Sequence, residues 1–327
     1  MSVEACYMAI PNGAGTGAVS ENTGRKVLDV KPFNDFWLKN CINHHAASAL
    51  QYYGFDKFSV ILNESFEYGV NEKDGKIYPS LKAVEPLDRF LERFGITMEK
   101  MKRAQNLQHE IIRFIDGNMP VMVSIDYFYL KSNKVEYNKI HRIHYILVYG
   151  YDLRNGKYHA IEHKHDKTLF FYNLEFDTDE IELCYTNSLK LNLYEGNSII
   201  AFKKTGKATP VGVTDHSKSY DISNLMKALL EMREWKAGAG DSKYYTEFLF
   251  QNAIRKNIFK YLLKLHGRDY TKLLDDIQNA SRLIAGMILK CIYTPAVNAA
   301  GYDKFQTRVD HLIDLEKRLH AEVTGNV

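Results

Sequence analysis

The 327-residue chain has 43 basic and 40 acidic residues, a formal net charge of +3, and is 45% hydrophobic and 25% charged. That balance is the composition of a folded globular protein and carries no basic field for nucleic acid, and no apolar stretch approaches the length of a membrane span. Cysteines at 6, 41, 184 and 291 show neither paired nor metal-ligand spacing, which argues against a disulfide framework or a zinc ribbon.

The opening segment, residues 1–29, reads as an N-terminal arm. Its Gly13-Ala14-Gly15-Thr16-Gly17 run lacks the Gly-Lys-Ser/Thr ending of a P-loop and the strand and helix that flank a dinucleotide fingerprint. No basic leader precedes Pro11, and the cysteine usage suits a reducing interior, so a cytoplasmic location is expected.

Asn40-Cys41-Ile42-Asn43-His44-His45 begins the next element. Ile42, Ala46, Ala49, Leu50 and Tyr53 recur at near-helical spacing and Gly54 stands where a left-handed cap belongs, predicting a helix from Cys41 to Tyr53. Cys41 then lies in the first turn, where unpaired N–H groups and the positive dipole end favour a thiolate, the reactive form of cysteine. The competing reading is a buried structural cysteine. His44 and His45 are expected on the helix surface or lining a pocket.

Ser80 to Phe94 predicts a helix interrupted by Pro86, with a restart near Glu85, and Asn106 to Ile115 a short one stopped by Gly117-Asn118. Strands are predicted at 121–125, 143–151, 158–163, 169–176 and 198–203, with an Asn155-Gly156 hairpin turn. Helices followed by an antiparallel sheet make an α+β arrangement. Residues 206–220 read as a linker, and 221–327 as an all-helical domain with helices near 222–237, 242–266, 269–293 and 302–323. The first domain is placed at 30–205.

A cysteine nucleophile needs a base and a group that orients the base. His144, at the head of the 143–151 strand, is the candidate base, with His141 its rival; Glu162 on the following strand and Asp166 beyond it are candidate orienting carboxylates. His159-Ala160-Ile161-Glu162-His163 also matches the inverted zinc-protease pattern. That chemistry needs one helical face, and a stretch beside a hairpin turn predicts a strand, so no resident metal is expected.

Cys41 at the head of a helix, His144 opening His-Tyr-Ile-Leu-Val-Tyr-Gly-Tyr-Asp, and Glu162 ten residues after Asp152 together resemble papain-like cysteine enzymes of the bacteriocin-processing peptidase branch. The version most similar is the N-terminal domain of the butirosin biosynthesis protein H type, over roughly residues 30–205. The resemblance implies a papain-like domain with nucleophile Cys41, base His144 and orienting residue Glu162. Where such peptidases carry an oxyanion-binding glutamine this chain has Asp35, leaving Asn34 or Asn40, with the Cys41 backbone N–H, as oxyanion candidates.

It also implies an acyl-Cys41 acyltransferase of natural-product biosynthesis. The acyl, aminoacyl or peptidyl group would come from a thioester on the phosphopantetheine arm of a carrier protein and pass to a small-molecule or peptide amine, with no other cofactor. The alternatives are a papain-like peptidase or thioesterase and a non-catalytic module that binds a carrier or partner protein. The helical domain has three candidate roles: carrier binding, lidding the pocket, or forming a homodimer.

Overall fold

The computed structural model describes residues 24–35, 38, 40–57, 59, 66–73, 76–83, 85–164, 170–191, 196–206, 221–235, 242–265, 267–293 and 299–324. The glycine-rich run at 13–17, Asp166 and most of the expected linker, 207–220, lie outside them. The fold is α+β with an antiparallel sheet, in two compact units: 1–60 with 87–212, and 61–86 with 213–327. No helix of the described residues is long and apolar enough to cross a membrane.

The first unit is built on a seven-stranded sheet. Its strands are β1 Arg25–Val27, β4 Ile96–Met101, β5 Val121–Asp126, β6 Ile143–Asp152, β7 Lys157–His163, β8 Phe171–Asp177 and β9 Ile199–Lys204, in the order β4-β9-β5-β6-β7-β8 with β1 beside β6. Every residue of β5 is buried, so this central strand is covered on both faces and shows no polar alternation. β5 pairs with β6 only as far as Val121 opposite Val148; β1 takes up the same edge beyond, with Val27 opposite Gly150. A Cβ at Gly150 would lie 2.9 Å from Lys26 O and Val27 Cα, so this close approach of β1 requires glycine.

Four α-helices among the described residues belong to this unit. α1 is Cys41–Tyr52, with Gly54 at φ +85° behind it, as its spacing predicts. α3, Leu107–Asp116, is capped by Asn106 and stopped at Asn118, which takes φ +58°. Of the helix expected over 80–94 only the part after the Pro86 interruption forms. Only α2, Leu87–Glu92, is helical there, because Pro86 disfavours a helical residue before it and the segment upstream pairs as a strand. α4, Thr178–Ser188, was not anticipated, although Ile181, Cys184, Tyr185 and Ser188 line its buried side. α1 packs on β6, and α3 and α4 pack on β5.

The second unit is not all-helical. It combines α5 Ser223–Arg233, α6 Ser242–Leu265, α7 Thr271–Tyr293 and α8 Ala299–Thr324 with a hairpin of β2 Phe66–Lys73 and β3 Lys76–Ala83. Tyr68 and Tyr78 of the hairpin enter the same core as Leu225, Leu249, Ile277 and Leu312. Inside that core Lys256 Nζ lies 2.7 Å from Glu316 Oε2, both side chains wholly buried. Asn252 donates to Glu316 Oε1 and accepts from the Tyr68 hydroxyl, so the carboxylate and its amide neighbour are satisfied as a network.

Candidate active site

α1 presents Cys41 as its first residue, half-buried. Asn40 caps the helix: its Oδ1 accepts the Asn43 N–H at 3.1 Å, satisfying one of the orphan donors of the first turn. Two buried histidines fasten the helix. His45 Nε2 meets the Tyr145 carbonyl of β6 at 2.8 Å, which fixes α1 against the strand that carries His144. His44 Nε2 accepts the Leu38 N–H, so its Nδ1 carries the proton and donates to the Phe33 carbonyl. Burial pushes His44 down to about 4 and His45 to about 3, leaving both neutral ties rather than bases.

His144 stands on β6 and keeps 15% of its side chain exposed, while Glu162 on β7 is fully buried. The register that pairs Leu147 with Ile161 places Glu162 diagonally across from His144. His144 Nε2 then lies 3.2 Å from Glu162 Oε2, and the Cys41 thiol hydrogen-bonds the same imidazole, leaving Nδ1 for the sulfur. Cys41, His144 and Glu162 are therefore brought into one chain of contacts from three elements.

Tyr127 holds this chain together. It begins a 3-10 turn, Tyr127–Tyr129, directly after β5. Its hydroxyl donates to Glu162 Oε1 at 3.1 Å while its ring stacks on the His144 ring, centroids 4.6 Å apart and 24° from parallel. The His163 backbone N–H donates to the same Oε1 at 2.6 Å. Oε1 is thus committed to the scaffold and Oε2 is turned to His144. Nothing in the sequence pattern marks Tyr127, whose role arises from the turn that follows a buried strand.

The charges reinforce one another. Burial opposes ionisation of Cys41, but the charge of His144, a hydrogen bond from its ring and the Tyr145 backbone N–H outweigh it and hold the thiol below its ordinary value. Burial would lower His144, yet the Glu162 and Cys41 charges lift it to about 10. Burial would raise Glu162, and His144 together with the His163 N–H brings it down to about 2. Each charge thus favours the others, and the arrangement shifts the balance toward thiolate, imidazolium and carboxylate.

The rival His141 is engaged elsewhere: its Nδ1 lies 2.7 Å from Asp126 Oδ2 and its ring stacks on Phe128. Asn34 spans the backbone of Phe171, donating to its carbonyl at 2.9 Å and accepting its N–H at 2.8 Å, so both ends of this amide hold the start of β8. Asn40 stays beside Cys41 as the cap. The zinc-protease pattern lies on a strand, as expected, and His159 Nδ1 is 3.5 Å from Glu175. Donor atoms of His144, Glu162 and His163 all lie within 4.8 Å of one another, the one group of metal-ligand type among the described residues.

The chain matches the family model of butirosin biosynthesis protein H, N-terminal, over residues 40–163. The match opens at the helix cap Asn40 and closes at the last residue of β7, so it spans Cys41, His144, Glu162 and Tyr127. The resemblance read from the residues is therefore found again by comparison with the family. No curated protein matches the chain.

Proposed function

We propose that the chain is a cysteine acyltransferase of natural-product biosynthesis, moving an acyl, aminoacyl or peptidyl group from a carrier-protein thioester to an amine through an acyl-Cys41 intermediate. The observation that supports it is the line of contacts from Cys41 through His144 to Glu162, contained within the part that resembles a biosynthetic family. The Cys41 thiolate attacks the carbonyl of a thioester on the phosphopantetheine arm of the carrier. The oxyanion takes hydrogen bonds from the Cys41 backbone N–H and the side-chain amide of Asn40. As the carbon–sulfur bond to the arm breaks, the His144 imidazolium gives its proton to the departing thiolate.

The second half reverses these roles. Neutral His144 takes a proton from the attacking amine, the tetrahedral intermediate collapses, and Cys41 leaves as thiolate beside the regenerated imidazolium. Glu162 keeps the imidazole oriented and stabilises its cation throughout. Exclusion of water by the surrounding aromatic side chains favours the amine as acceptor.

Intact-protein mass spectrometry with acyl thioesters of pantetheine, repeated with Cys41→Ala and with added amines, tests this. An adduct on Cys41 that is absent in the variant and discharged faster by amine than by water is the expected result. Discharge to water alone would replace the transferase with a thioesterase or peptidase. No adduct from any donor would leave a module that only binds a carrier or partner.

A further inference from the structure

We propose that His144, Glu162 and His163 form a divalent-metal site, suited to zinc, whose occupation removes the base from Cys41. His144 Nε2 and Glu162 Oε2 are 3.2 Å apart, and one ligand atom each of His144, Glu162 and His163 lie within 4.8 Å of one another. Two ligands on a tetrahedral zinc with bonds of about 2.0 Å sit about 3.3 Å apart, so the first pair already has the required spacing. Two imidazoles and a carboxylate are a zinc set with one open position, whereas calcium and magnesium favour oxygen ligands.

The surroundings orient each donor. His163 Nδ1 faces the Phe170 carbonyl at 3.2 Å; donating there puts the lone pair on Nε2. The His163 ring is also held against Phe171, centroids 3.8 Å apart. Tyr127 and the His163 N–H hold Glu162 Oε1, and Oε2 is the oxygen that faces His144. The site differs from the sequence pattern that first suggested a metal: His144 from β6 replaces His159, which the strand directs toward Glu175.

This regulation rests on the acyl-transfer reading. A metal between Nε2 and Glu162 Oε2 takes that oxygen as its own ligand and confines the remaining ring proton to Nδ1, facing Cys41. The ring can then donate to the thiolate but cannot accept a proton from an amine, so transfer halts with the nucleophile intact.

The test uses the full chain. Zinc bound at equilibrium is measured by elemental analysis and calorimetry for the wild type, Cys41→Ser, His163→Ala and His163→Gln, and cobalt spectra are taken of the wild type. One zinc per chain is expected in the wild type and in Cys41→Ser, with affinity at least about 100-fold weaker in both His163 variants, the upper end of what losing even an outer partner costs. Cobalt should give tetrahedral bands without thiolate charge transfer, a readout that stands even if the His163 variants fail to fold. Zinc should block amine discharge of acyl-Cys41, and a chelator restore it. Absence of stoichiometric zinc, unchanged affinity in a folded His163 variant, or a thiolate band would overturn the site. Failure of zinc-free protein to acylate would overturn the transfer reading and the regulatory role with it, while the zinc stoichiometry alone decides the site.

Discussion

Replacing Glu162 by Gln is the sharpest probe of the charge arrangement, because the amide keeps the shape and an oxygen for Tyr127 while removing the charge that faces His144. At 3.2 Å and an effective dielectric of about 20, the attraction between carboxylate and imidazolium is about 5 kcal/mol. Restored solvation offsets part of this, and removing one member of a buried pair costs roughly 3–5 kcal/mol in practice. At 1.36 kcal/mol per tenfold, the thiolate–imidazolium pair should lose about two to four orders of magnitude in population relative to the neutral thiol and imidazole. The assay is the rate of Cys41 alkylation at mildly acidic pH, with a chelator present. Cys184 supplies little background, since burial pushes its thiol up to about 12. A loss of about 100-fold or more is expected. A change under about threefold would mean that His144 keeps its charge without Glu162 and would refute the reasoning.

Three further perturbations address the scaffold. Tyr127→Phe keeps the ring stacked on His144 and removes one hydrogen bond to a buried carboxylate, worth about 1.5–3 kcal/mol; the upper limb of the alkylation pH profile should move to lower pH, and an unchanged profile would make the hydroxyl irrelevant. Glu162 is depressed below its ordinary value of 4.5 and His144 raised above 6.5, so the first contributes stability that is lost as pH falls toward about 2, the second stability that is lost as pH rises toward about 10. The gap in melting temperature between wild type and Glu162→Gln should therefore be widest between pH 4.5 and 6.5, and a gap that grows steadily with alkalinity would contradict this. In the second unit, Lys256→Met strands a buried Glu316 and should cost about 3–5 kcal/mol in denaturant unfolding, most of it recovered in Lys256→Met with Glu316→Leu; a cost below about 1 kcal/mol for the single change would show that water reaches the pair.

Short-range chemistry made much of the molecule legible. Apolar spacing with Gly54 behind it located α1 and therefore Cys41 in its first turn, and Asn155-Gly156 located the hairpin that carries His144 and Glu162 on adjacent strands. The four helices of the second unit were readable from their apolar stripes for the same reason: neighbours within a turn of helix share one face. Those signals depend on residues a few positions apart, and they survive whatever the rest of the chain does.

The tertiary structure decided what depends on distant neighbours. Arg25–Val27 is a strand only because β6 runs on past the end of β5, and Ser80 to Ala83 is extended because Phe66 to Gly69 pairs with it. Sequence position favours His144 over its rival His141, but the partners are tertiary: the turn after β5 gives Asp126 to His141, and β7 gives Glu162 to His144 beside Cys41. Tyr127 joins the site through a ring stack and a hydrogen bond to a residue 35 positions away. Such contacts carry no periodicity, since strand register and turn geometry choose the partners, so the helix bearing Cys41 could be read from the chain while the clamp around His144 had to be seen.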